Sequence, residues 1–291
     1  MGRRGAIACC CVALACGAGS GCSGVRLRRG ADVEPSAQSP SRQDLSHSAT
    51  MAMDRQDFVR ARADLEELLR QSPRSAELHF RLGKVLQSQD RPTEAEAEYR
   101  KALGLDAHYV GALVGLGQVD ARLGRPKEAL IRFERAIEVD PHQAEAHLAR
   151  GRTLEVLGRT DDALGAYFRS LELDPGLAPA MVRVAALQSE RGQHDQALVR
   201  LERAAELAPD EPEVRYRRGL TLLALDHNKR AIEDLTFASK ASPERADVLV
   251  GLARALEADH QIGPARLALD QALRLQPQLA AARELSERLR R

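Results

Sequence analysis

The chain has no tryptophan, and only 3% of its 291 residues are aromatic. Proteins that grip single-stranded nucleic acid stack its bases on such rings, so the shortage argues against that class of partner. An excess of one charge is missing as well. Lys+Arg number 43 and Asp+Glu 42, a net charge of +1, where a nucleic-acid surface calls for a marked basic excess. Nucleic acid is therefore excluded as the main partner. Cysteine disappears after residue 22: Cys9, Cys10, Cys11, Cys16 and Cys22 hold the whole complement. That rules out a disulfide framework and a catalytic thiol in the rest of the chain. Nor does the sequence carry GxSxG, HExxH or a phosphate-cradling GxxxxGK[ST]. Of the eight histidines, His142 and His147 stand five apart across a loop with nothing converging on them. No metal site and no cofactor is expected. Asparagine occurs once, at Asn228, in an expected turn.

What is present is a period. Pro141, Pro175, Pro209, Pro243 and Pro277 recur every 34 residues, as do Ala95, Ala129, Ala163, Ala197, Ala231 and Ala265. A third series, Gly83, Gly117, Gly151, Ala185, Gly219 and Ala253, is always small. Within one unit, residues 144–158 and 160–173 both carry apolar side chains at helical spacing and are rich in helix formers. Gly124, Gly158 and Gly192 fall between the two helices, where a left-handed residue closes a helix. Asp140-Pro141 and Asp174-Pro175 end the second helix, since proline cannot extend it. Small residues at fixed places let helices cross closely, Gly151 meeting Ala163 within a unit. The series Ala102, Ala136, Ser170, Ala204, Ala238, Ala272 lets one unit approach the next. Large residues such as Tyr99, Phe133, Tyr167 and Leu201 fill the remaining space. Such self-similarity means a stacked array in which each unit buries its apolar face on its neighbours.

The spacing Leu116-Gly117, Ala129, Phe133, Ala136, Pro141 resembles the tetratricopeptide repeat (TPR). The resemblance covers units at 76–109, 110–143, 144–177, 178–211, 212–245 and 246–279, with a degenerate unit at 42–75. It implies an all-α TPR solenoid, a right-handed superhelix of helix-turn-helix units, with residues 280–291 as a C-terminal capping helix. Ala107 replaces a ladder proline and the usual leading tryptophan is absent. Arg150 and Arg218 stand where leucine is usual; each is expected to pack its stem on the groove wall with its head in water.

Ahead of the array lies an address. Arg3 and Arg4 precede a sixteen-residue uncharged stretch, residues 6–21, too short and glycine-broken for a spanning helix. Residues 1–21 read as a signal peptide, and the segment resembles a bacterial lipoprotein signal in which a cysteine after a small residue is acylated. Cys22 is the candidate and Cys16 the alternative. Residues 22–41, rich in Ser, Pro and charge, read as a flexible tether. The expected location is a periplasm-facing, membrane-anchored place in the cell envelope. Ser23 after the cysteine favours the outer membrane. The alternative is a cytoplasmic or secreted soluble protein.

With no catalytic constellation and no room for a hidden enzyme domain, function falls to the concave groove. The resemblance implies that the sixth and ninth places of each first helix face inward. Here they include Arg81, Lys84, Gln118, Arg152, Arg183, Arg217 and Arg254. Six bases along one groove suit an extended acidic or phosphorylated peptide, although Glu77–Arg81 and Glu213–Arg217 are spaced to pair along one helix. The resemblance thus implies a non-enzymatic interaction scaffold, a tethered lipoprotein assembling an envelope complex of the pilus, export or outer-membrane-biogenesis type. A soluble adaptor without a lipid anchor is the alternative. A regulatory subunit of an enzyme ranks third.

Overall fold

The computed structural model describes residues 41–290, so the expected signal, tether and acylated Cys22 or Cys16 lie outside the described residues. The array begins with α1 (Arg42–Asp54), α2 (Phe58–Gln71), α3 (Ala76–Ser88), α4 (Pro92–Leu105) and α5 (Val110–Arg122). It continues through α6 (Pro126–Val139), α7 (Ala144–Val156), α8 (Thr160–Leu173), α9 (Ala178–Glu190) and α10 (His194–Leu207). It ends with α11 (Pro212–Ala224), α12 (Asn228–Ala241), α13 (Ala246–Ala258), α14 (Ile262–Leu275) and α15 (Ala280–Arg290). A 13-residue helix, a three-residue turn, a 14-residue helix and a four-residue turn make up each period. Asn228 and His194 open helices rather than sitting in turns.

The tight turn inside each unit is one motif repeated. In α3 the N–H of Arg91 donates to the carbonyl of Leu86 at 3.0 Å and that of Asp90 to Gln87 at 3.2 Å, the paired bonds of a left-handed helix end. Gly124, Gly158 and Gly192 take φ of +74°, +75° and +74° at this place. The other units put Gln56, Asp90, Asp226 and His260 there, at φ of 59–62°. After the second helix, Asp106, Asp140 and Asp174 each accept from the backbone N–H two residues on, at 2.9–3.0 Å. This folds the chain back.

The ladders are the core. Ala95, Ala129, Ala163, Ala197, Ala231 and Ala265 are wholly buried, and so are Tyr99, Tyr167, Leu201, Leu235 and Leu269. The nearest atoms to the glycine series belong to these large side chains. A methyl added at Gly117 would lie 2.7 Å from the Phe133 ring, and one at Gly151 would lie 2.5 Å from that of Tyr167. Two periods on, a methyl at Gly219 would lie 2.7 Å from Leu235 and 3.4 Å from the backbone oxygen of Ala231, the equivalent of Ala163, so the glycine faces both the large side chain and the alanine turn.

Helices pack chiefly on their neighbours in sequence, and first helices also touch first helices, α3 on α5, α5 on α7, α9 on α11 and α11 on α13. That extra contact sets the first helices on the inner side of the curve. At the far end, Glu287 of α15 falls one period after Ala253 and is exposed. Among the described residues no helix is long and apolar enough to cross a membrane.

Candidate partner-binding groove

Along the inner side the first helices open a line of recesses. One of about 540 Å³ lies over α3, α5 and α7, with Phe80, Lys84, Val114 and Gln118 in its lining. A second, about 500 Å³, shares Gln87, Gln118 and Glu145 with the first and reaches α9. A third, about 570 Å³, shares Arg152 and Pro179 with the second and reaches α11. A fourth, about 250 Å³, lies between α9 and α11. The first three share lining residues and form one trough; the fourth shares none with them and lies further along the same α9 and α11.

The candidate residues fall into two groups. Lys84 and Gln118 line the first recess, and Arg152 lines the second and third. All three are exposed, and neither cation has a carboxylate within ion-pair distance among the described residues. The Lys84 ammonium stands 5.8 Å over the Phe80 ring. Gln118 is oriented by a relay: the Tyr99 hydroxyl donates to Gln87 Oε1 at 2.8 Å, and Gln87 Nε2 donates to Gln118 Oε1 at 3.2 Å. The amide nitrogen of Gln118 has no acceptor among the described residues and is left as a donor. Arg254 lies exposed on α13, beyond the fourth recess.

The second group is already neutralised. Arg183 grips Glu155 with both nitrogens of its fork, one bond at 2.9 Å, and Glu155 also accepts from the Tyr167 hydroxyl. Burial alone would lower the Arg183 pKa; the bonds and charge of Glu155 outweigh it and leave it raised. Arg217 pairs with Glu213 at 2.7 Å, as their spacing predicts, and Glu213 holds Arg245 at 2.6 Å. Arg245 in turn pulls the Asp247 carboxyl below the usual range. Arg245 lies 4.6 Å over the Tyr216 ring and Arg217 5.4 Å from it. Glu77–Arg81 does not form; Arg81 reaches back to donate to Thr50 of α1 instead. The expected basic stripe is thus a mixed surface in which Arg183 and Arg217 act as struts.

Arg218 departs furthest from its expected place. Its half-buried guanidinium lies against Asp234, with bonds of 2.6 and 2.7 Å, and Arg215 adds a third at 2.8 Å. Asp234 is 2% exposed, and a carboxylate taken out of water needs such partners. Arg150 is half-buried beside Glu134 of the preceding unit, at 3.8 Å, not on the groove wall. His147 Nε2 donates to the Pro141 carbonyl, 3.1 Å away. Among the described residues no three His, Cys, Asp or Glu side chains cluster as a metal site would need.

Sequence reasoning missed the floor of the trough. Phe80, Val114, Leu148, Val182 and Tyr216 occupy the fifth place of successive first helices and line or flank the recesses. Their 34-residue spacing was signal enough, but the charged sixth and ninth places drew attention first. Gln87 and Glu155, one turn further along, orient the candidate residues and carried no such signal.

A family model described as tetratricopeptide repeat matches residues 49–110, 114–178 and 216–280, and a second of the same description matches 157–218. The chain belongs to the tetratricopeptide repeat family. Members of the family act as protein–protein interaction scaffolds, and the fold is typically non-enzymatic. Among solved structures, the Cut9–Hcn1 hetero-tetramer of APC/C superposes with TM-score 0.72 at 17% identity over 85% of this TPR chain. This chain spans 52% of that one, about half its length. Pseudomonas aeruginosa pilF gives TM-score 0.66 at 19% identity, covering 73% of this chain and 97% of pilF. YrrB, a TPR protein described as having an unusual peptide-binding site, gives 0.52 at 19% identity over 65% of this chain and 97% of its own. At these identities the likeness is one of fold. No curated protein matches in sequence.

Proposed function

We propose that this TPR protein is a non-enzymatic scaffold that holds a segment of a partner protein along its inner face. The observation that carries the reading is the continuity of the trough from α3 to α11, with apolar side chains on its floor and unpaired polar groups on its rim. A site of this kind buries an anchor on the floor and lets rim groups fix orientation. It suits an extended peptide, the ligand class printed for YrrB, though the residues here are this chain's own. A photo-crosslinking residue at Val114 or Val182 should capture a partner in cells. The same residue at Ile131, exposed on α6, should not. Equal capture from all three sites would end the reading.

The proposal extends to a tether. A basic start, a short uncharged run and a small residue before Cys22 support acylation there, with Cys16 as the alternative. Residues 22–41 would then hold the array off a membrane on the periplasmic side of the envelope. One acyl chain binds marginally and two bind stably. Labelling with a radioactive fatty acid should be lost in Cys22→Ala. Equal labelling of wild type and variant would leave a soluble adaptor in its place, and loss only in Cys16→Ala would move the anchor.

A further inference from the structure

The trough is not uniformly basic, and its charges are sorted by position. Over α3, α5 and α7 its unpaired charges are Lys84 and Arg152, with Glu145 between them; Arg122 is spoken for by Asp90, 2.7 Å away. Over α9 and α11 the arginines are consumed by Glu155 and Glu213. The unpaired charges there are Glu190 and Glu211, both exposed. Between the two halves the third recess is floored by Val156, Pro179, Val182 and Val214, and Val156 is 74% exposed. A valine so open beside a recess of about 570 Å³ offers an anchor point for an apolar side chain.

We infer that the ligand is an extended segment of a partner protein with segregated charge: acidic residues over α3–α7, one aliphatic side chain on Val156 and Val182, and basic residues over Glu190 and Glu211. The inference rests on the groove reading above and names its ligand. Potentials of opposite sign at the two ends fix the register of a bound chain and reject one laid the other way. Gln118, which lines the first two recesses with its amide oxygen already bonded, adds a donor for a carbonyl in the acidic half. Neighbouring first helices are roughly 9 Å apart. Lys84 and Gln118 line one recess, so a chain that starts over α5 meets both, and crossing from α5 to α11 takes roughly eight extended residues.

The test uses three fluorescein-labelled nonapeptides of one composition: three acidic residues, a central leucine flanked by glycines, and three basic residues. Two have segregated charge, in opposite chain directions, and the third alternates its charges. Fluorescence anisotropy with the full chain should show saturable binding of one segregated peptide, about tenfold tighter than the alternating one. Lys84→Glu with Arg152→Glu, and separately Glu190→Lys with Glu211→Lys, should each weaken it about tenfold. All four sites are exposed, and unchanged circular dichroism confirms the fold. Equal binding of segregated and alternating peptides, no saturable binding of either segregated peptide, or indifference to both reversals would each overturn the inference. If crosslinks from Val114 and Val182 persist while the segregated peptides fail, the groove stands and the charge order falls.

Discussion

Two glycine-to-alanine changes in neighbouring units should move stability in opposite directions. Both Gly117 in α5 and Gly165 in α8 sit inside helices, where alanine is worth about 1 kcal/mol over glycine through backbone entropy. A methyl at Gly165 meets nothing within 4 Å, so Gly165→Ala should keep that gain. A methyl at Gly117 would lie 2.7, 2.9 and 3.0 Å from three atoms of the Phe133 ring, which is 1% exposed and has nowhere to go. Overpacking of this kind costs about 1–3 kcal/mol, so Gly117→Ala should be a net loss of about 1 kcal/mol. The array itself supplies the control. Glycine stands opposite Tyr99, Phe133 and Tyr167, whereas Ala49, Ala185 and Ala253 hold the same place relative to Leu65, Leu201 and Leu269; Gly219, against Leu235, is the exception. Phe133→Leu should therefore rescue Gly117→Ala, with a favourable coupling of about 1 kcal/mol in a double-mutant cycle. Solenoids unfold in parts, so urea melts should be joined by hydrogen exchange on α5 and α6 amides. If Gly117→Ala stabilises as much as Gly165→Ala, or the leucine fails to rescue it, the ring-against-glycine account is wrong.

His260→Gly should raise stability by about 1 kcal/mol, because His260 holds a φ of 62° where three other units use glycine. A thermal melt that does not rise would count against strain at that turn. Arg218→Leu should destabilise by about 2–3 kcal/mol, less than the full cost of a broken buried pair because Arg215 still faces Asp234; adding Asp234→Ala should recover most of it in urea melts. Asp120 is 3% exposed, and burial pushes its carboxyl above the usual range even though Arg125 lies 2.8 Å away. A carboxyl raised on folding adds stability below its unfolded pKa and loses it as pH rises through the folded value. Asp120→Asn should therefore gain on wild type as pH climbs out of the acid range, and a pH-independent difference would refute this. Glu96 runs the other way: Arg125 holds it low, so its contribution is present above the unfolded value and fades on acidification.

How far the sequence could be read depended on whether a residue answered to the period. Ala95, Gly117, Phe133 and Pro141 repeat because each unit solves the same packing problem, so their places were legible before any coordinates. That the Tyr167 ring lies nearest to Gly151 was not legible, since spacing along one helix does not say which side chain lies across from it. Charges were harder. Asp120 and Gln188 occupy one place in their first helices, where Leu86, Leu154, Leu222 and Leu256 stand in the others. Each is matched across the unit. Asp120 has Arg132 at 3.9 Å, and Gln188 accepts from Arg200 at 2.9 Å. Asp234 occupies the place of Arg132 and Arg200 in its own unit and finds Arg215 and Arg218 instead. Read along the chain, such residues look like solvated faces. In the fold they are polar pairs inserted between helices, and each charge so used is unavailable to a ligand. The same accounting applies to the trough. Arg183 and Arg217 stand among the expected basic candidates, yet Glu155 and Glu213 hold them as braces, and the groups left open to a partner are Lys84, Gln118 and Arg152 on one side and Glu190 and Glu211 on the other. A count of groove charges made on the sequence alone overstates the basic face, because it cannot subtract the pairs that the helices make with one another.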